Sequence, residues 1–160
     1  MTTEQRPIVY LSRREHFSAA HRLWAPGLTM AQNVELFGPC AREYGHGHNY
    51  VLEVTLRGGV DPDTGIIVNL TEVRDALRSL IIDKVDHRHL NCDSPLCAGV
   101  NPTTENLAVL FWNTLSARFD KLLFEVRLQE TEKNWVVYRG EYSATPATIR
   151  ASSTPATLPG

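Results

Sequence analysis

A chain of 160 residues, 42% hydrophobic and 21% charged, is the size of one ordinary domain and can bury a core without disulfide or metal staples. Sixteen basic against eighteen acidic residues leave a net charge of −2, which gives neither nucleic acid nor an anionic membrane surface a bulk electrostatic hold. No apolar run approaches the ~20 residues of a transmembrane helix. The opening MTTEQRPIVYLSRRE has no apolar signal-peptide core, and Cys40, Cys92 and Cys97 have no framework spacing, so a cytoplasmic protein with reduced thiols is expected.

Residues 8–23, IVYLSRREHFSAAHRL, read as a long strand whose apolar pattern is interrupted by Arg13, Arg14 and Glu15. The stretch WAPGLTMAQNVELFGPC that follows is rich in turn formers without a clean period and reads as a long functional loop. From His46 the alternation is clear. His46, His48, Tyr50, Leu52, Val54 and Leu56 share one face of a half-buried strand, with Asn49, Glu53, Thr55 and Arg57 on the other. Asp61-Pro62-Asp63-Thr64-Gly65 is a turn, and Ile66–Val68 a short extended return.

A first helix is expected over Thr71–Asp83, capped by Asn69 or Thr71, with Val73, Leu77, Leu80 and Ile81 on one stripe. A second begins after Asn101-Pro102 under a Thr103 cap and carries Leu107, Phe111 and Leu115. The polar DHRHLNCDSPLCAGVNP between them reads as another loop. Phe124, Val126 and Leu128 then alternate against Glu125, Arg127 and Gln129, and TEKN turns into Trp135–Tyr138, a second hairpin. The order β-β-α-α-β-β gives an α+β fold, a four-stranded antiparallel sheet with both helices on one face. One domain spans 1–142, and the Ala/Thr/Pro/Ser-rich segment 143–160 is expected to be a flexible tail.

Cys40, His46 and His48 fall within nine positions of a chain with six histidines and three cysteines. In a strand, residues i and i+2 point to one side, so His46 and His48 present two imidazoles together across Gly47. If the first two strands pair as a hairpin, His21 joins them. Three imidazoles with an open position form a catalytic rather than a structural arrangement, with zinc favoured and other divalent ions possible. His16 has the opposite parity to His21 and faces away; His89, in a polar loop, is expected to be solvated.

A thiol beside a divalent cation ionises more readily, so Cys40 reads either as a proton acceptor or as a small buried hydrophobe. Cys92 and Cys97 lack a second pair and read as ordinary thiols. In Asp86-His87 an aspartate could fix an imidazole tautomer for proton transfer, or the pair could be merely hydrophilic. Glu130 continues the parity of Val126 and Leu128, so its carboxylate either holds something with two adjacent N–H donors or escapes to water where the strand ends.

FSAAH (17–21), the Cys40 loop into GHGHNY (45–50), VDPDTGIIVNL (60–70), VDHRHLN (85–91), PTTEN (102–106) and QETEKN (129–134) together resemble the 6-pyruvoyl tetrahydropterin synthase family over residues 9–141. The resemblance implies the T-fold, with three subunits closing a barrel and two trimers stacking into a homo-hexamer whose sites lie between subunits. It implies zinc on His21, His46 and His48, Cys40 as catalytic thiol and Asp86-His87 as proton relay. Glu130 would anchor the pterin, with Thr103, Thr104 and Glu105 lining its pocket. The implied reaction turns 7,8-dihydroneopterin triphosphate into 6-pyruvoyl tetrahydropterin with loss of triphosphate.

The nearest rival is 6-carboxy-tetrahydropterin synthase, a sister activity in deazapurine synthesis that uses the same fold and substrate. Members of that sister family usually have a shorter segment before the cysteine and a tighter cysteine-to-HxH spacing. By resemblance, therefore, the eighteen residues between His21 and Cys40 and the five between Cys40 and His46 favour the pyruvoyl type. A metal-holding binder would not need the thiol and relay, and a zinc hydrolase would leave Glu130 and Cys40 unexplained.

Overall fold

The structure, a computed structural model, describes residues 5–142; the tail expected over 143–160 lies outside the described residues. Strand β1 (Ile8–His21) runs antiparallel to β2 (His46–Gly59) along its whole length, from Ile8 opposite Gly59 to His21 opposite His46. β2 pairs antiparallel with β4 (Leu123–Gln129), and β4 with β5 (Trp135–Tyr138). These are the two expected hairpins, joined into one sheet.

The sheet has a fifth member. β3 (Arg88–His89) pairs parallel with β1 at Ala19 and Ala20, so the order is β3-β1-β2-β4-β5 and the sheet is mixed rather than purely antiparallel. The stretch read as a loop closes onto β1 because its backbone donors find acceptors there: His87 N–H on Ser18 O at 2.6 Å and Leu90 N–H on Ala20 O at 2.7 Å. Ile66–Val68, expected as an extended return, forms no strand.

Helix α2 (Leu70–Leu77) starts under Asn69, whose side chain accepts from Thr71 N–H. It continues through a π-helical stretch, Arg78–Ile82, into a last turn, α3 (Asp83–Val85). Thr103 caps α4 (Thr104–Phe119) by accepting from Asn106 N–H. Leu107, Phe111, Leu115 and Phe119, each four residues on, make the buried face of α4. They meet Val73 and Leu77 of α2, Ile81 of its π-helical continuation, and Tyr50, Leu52, Val54, Val126 and Leu128 of the sheet in one core. Burying a side chain such as Phe111 stabilises by about 1.5–3 kcal/mol relative to leaving it exposed.

Two sequence irregularities have physical answers. Arg13 and Glu15, on the strand face that carries Phe17 further along, pair with each other at 2.6 Å, while Arg14 on the opposite face pairs with Glu53 across the hairpin. The expected parity of β4 fails at Phe124. A register shift against Thr55/Leu56 puts Leu123 in the core, and Phe124 instead meets Tyr10 edge-on at 4.8 Å.

The stretch between β1 and β2 is not all loop. It contains helix α1 (Met30–Phe37), under a capping box in which Thr29 and Gln32 bond each other's backbone, followed by a 3₁₀ turn over Gly38–Ala41. Its one fully buried residue is polar. Asn33 bonds Ala25, Leu28 and Thr29, stitching the helix to the preceding turn, so no apolar stripe marks α1 in the sequence.

Candidate metal centre and adjoining cleft

The register of the first hairpin builds the centre. His21 lies directly opposite His46, and Ala19 opposite His48, so the three imidazoles share the helix-facing side of adjacent strands. Their ring centroids are 4.6, 4.7 and 5.1 Å apart, and one ring nitrogen from each lies within 4.8 Å of the others, a grouping that could hold a metal ion. Nε2 of His21 and of His46 are 3.1 Å apart, and His48 Nε2 is buried without a hydrogen-bond partner. Nitrogen atoms crowded and left unpaired in this way are what a divalent cation satisfies.

Burial lowers the pKa of both His21 and His46 from the ordinary 6.5, with neighbouring imidazoles adding to it; the Pro102 carbonyl opposes the shift at His21 and Glu130 opposes it at both. Both rings are therefore neutral near neutral pH, the form that binds a cation. Gly45 makes the geometry possible. Its φ is +67°, and a Cβ there would overlap the His21 carbonyl.

Glu130 does not escape to water. Its carboxylate is four-fifths buried and lies 3.6 Å from His21 Nε2 and 3.8 Å from His48 Nε2. The Thr131–Asn134 turn places it, through Glu130 N–H on Asn134 O. The same carboxylate borders a cleft of about 590 Å³ together with Thr103, Thr104 and Glu105 at the start of α4, so the four expected substrate residues converge. Leu23, Phe37 and Val136 supply apolar wall, and Lys133 and Asn134 further polar groups. Pattern reasoning did not find these. For Phe37, the Thr29-x-x-Gln32 capping signature was the available signal, since it marks the helix that Phe37 ends.

Cys40 sits half-buried in the 3₁₀ turn, a free thiol rather than a core filler. Its carbonyl accepts from Leu23 N–H at 2.9 Å and that of Ala41 from Arg22 Nε at 2.9 Å, which ties the turn to the chain just beyond His21. Cys92 is exposed and Cys97 buried, both unpaired.

Asp86 and His87 do touch: Nδ1 to carboxylate at 2.9 Å, with the other carboxylate oxygen accepting from Ser18 N–H at 2.8 Å. Partial burial works to raise the Asp86 pKa, but these donors outweigh it and hold the carboxyl below its ordinary range. The pair is not in the cleft. His87, at φ +57° and 82% side-chain exposure, borders a separate groove with Ser18, Ala20 and Asn49. His16 is exposed on the far face as expected, but His89 is not simply solvated: it is half-buried with Nδ1 unpartnered and its ring against Gly45.

The fold and site together define a class: a T-fold scaffold with a three-histidine, metal-competent centre opening beside an acid-bearing cleft. Residues 10–141 match the family model described as 6-pyruvoyl tetrahydropterin synthase. The chain is 46% identical over 140 residues to the 6-pyruvoyl tetrahydrobiopterin synthase of Drosophila melanogaster, covering 86% of this chain and 83% of that one. It superposes on the Caenorhabditis elegans 6-pyruvoyl tetrahydropterin synthase with a TM-score of 0.80 at 40% identity, covering 85% of this chain and 98% of the other. The 6-carboxy-5,6,7,8-tetrahydropterin synthase of Aquifex aeolicus is more distant, 27% identical across 82% of this chain and 98% of its own. The chain belongs to the 6-pyruvoyl tetrahydropterin synthase family.

Proposed function

We propose that this chain converts 7,8-dihydroneopterin triphosphate to 6-pyruvoyl tetrahydropterin with release of triphosphate, as a zinc-dependent lyase whose catalytic domain is residues 1–142. The observation that carries the reading is Glu130, which faces the histidine cluster and the Thr103–Glu105 cleft at once. A substrate whose ring is held in the cleft would thereby present its side chain to the centre.

In this reading Glu130 accepts two hydrogen bonds from the adjacent N–H groups of the aminopyrimidinone edge, as a carboxylate does best. Thr103, Thr104 and Glu105 set the ring's depth. His21, His46 and His48 hold the zinc ion, which when bound supplies a Lewis acid that makes the carbon beside the side-chain hydroxyls more acidic. Cys40 thiolate takes a proton from that side chain, and His87, oriented by Asp86, moves another. Hydrogen and electrons pass internally from the side chain into the ring while the triphosphate leaves, so no external reductant is needed.

The exposed His87 and its separate groove support a homo-hexamer in which Asp86-His87 of one subunit completes the site around Cys40 of a neighbour. β3 covers β1 only at Ala19 and Ala20, which leaves most of that edge for a second copy. No helix among the described residues is long and apolar enough to cross a membrane; a cytoplasmic location remains part of the proposal.

The reading is tested by triphosphate release from 7,8-dihydroneopterin triphosphate. Release that stops with a chelator and returns with added zinc is expected; release indifferent to the chelator would contradict the metal's part.

A further inference from the structure

The three histidines are not held alike. His21 is fully buried and its Nδ1 lies 2.8 Å from the carbonyl oxygen of Pro102. A carbonyl oxygen only accepts, so at that distance Nδ1 must carry the ring proton, and Nε2 is left as a bare lone pair directed at the other two rings. Tyr50 Oη is a second, longer acceptor for the same Nδ1–H, at 3.2 Å. By contrast, the only side-chain hydrogen bond of His46 among the described residues is the one to His21 Nε2, and His48 Nε2 has none.

Tyr50 has little other reason to be a tyrosine. Its ring is fully buried, stacked on Phe17 at 4.8 Å and 11°, a place a phenylalanine would fill. Its hydroxyl has no hydrogen-bond partner among the described residues except His21, and a buried hydroxyl costs free energy unless it is used. Pro102, for its part, belongs to the segment that enters the cleft. Asn101 Oδ1 accepts from Trp24 N–H, and Thr103 caps α4 directly after Pro102.

We infer that His21 is the pre-set anchor of the metal centre, fixed as its Nδ1–H tautomer by the Pro102 carbonyl and the Tyr50 hydroxyl, while His46 and His48 take their final orientation from the ion. Tyr50 and Pro102 are thus positioning residues that act through His21 and touch neither substrate nor metal. The inference rests on the metal reading above. It adds that the metal ligand and the pterin-binding segment are one mechanical unit.

Two measurements test it. Long-range ¹H–¹⁵N NMR of the full, metal-stripped chain above pH 7 should show His21 with its proton on Nδ1; a proton on Nε2 would overturn the inference. Tyr50→Phe keeps the ring stack and should leave the unfolding temperature of the metal-stripped protein near wild type. It should weaken zinc binding about tenfold in competition with a chromophoric chelator. Unchanged zinc affinity would remove Tyr50 from the anchor. A wild-type protein that bound no zinc would instead overturn the metal reading, with the NMR result still deciding the tautomer.

Discussion

Glu130 Oε1 lies 3.6 Å from Nε2 of His21, so the carboxylate that borders the cleft and the histidine proposed to anchor the metal are neighbours in one subunit. Glu130→Gln should keep the fold and still bind zinc, because the amide matches the carboxylate in shape. Pterin binding should weaken roughly 10- to 100-fold, the usual value of charge-assisted hydrogen bonds. Equilibrium titration with a pterin analogue checks this, and unaltered affinity would place the ring elsewhere.

Cys40 should be needed for chemistry and not for binding. Cys40→Ala is expected to lower turnover by about 10²–10⁴-fold, the range for losing a positioned acid or base, with zinc and pterin affinities unchanged. Retained turnover would rule out the thiol as the base.

Gly45→Ala should be among the most damaging substitutions of small size. It places a Cβ on the His21 carbonyl in a left-handed backbone conformation, so a loss of about 2 kcal/mol or more is expected, with weakened zinc binding. Gly65, also at positive φ but with open space around it, is the control: Gly65→Ala bears the conformational cost alone. Equal losses in urea unfolding would deny the steric argument.

The pH dependence of the metal-free protein follows from His21 and His46. Their folded-state pKa values lie below the ordinary 6.5, so on acidification the unfolded chain takes up protons first. The stability they permit is complete above 6.5 and is lost as pH falls from there toward the lowered values. Urea midpoints measured with chelator present should decline from pH 7.5 to 5.5; a flat profile would mean the rings titrate alike in both states.

How much of this could be read from the chain depended on periodicity. His46, His48 and Tyr50 announced their shared face because a strand repeats every two residues, and one hairpin register brought His21 opposite. Helix α1 stayed hidden because its buried residue is Asn33, so hydrophobic patterning had nothing to register. β3 was invisible for a related reason: it is two residues long and exists only where β1 offers free carbonyls. The bulge that exchanges Leu123 for Phe124 shows only in the pairing of β4 with β2, which strand alternation alone does not encode. At the site, residue types were legible, but the Pro102 carbonyl behind His21 was not, since every residue has a carbonyl and only the tertiary fold selects one.

The central claim is the reaction, and product identification tests it most directly. Zinc-loaded protein should be incubated anaerobically with 7,8-dihydroneopterin triphosphate and the products identified by mass spectrometry. A pyruvoyl-substituted tetrahydropterin with one equivalent of triphosphate is expected. A carboxy-substituted pterin with acetaldehyde, or unconsumed substrate, would contradict the account.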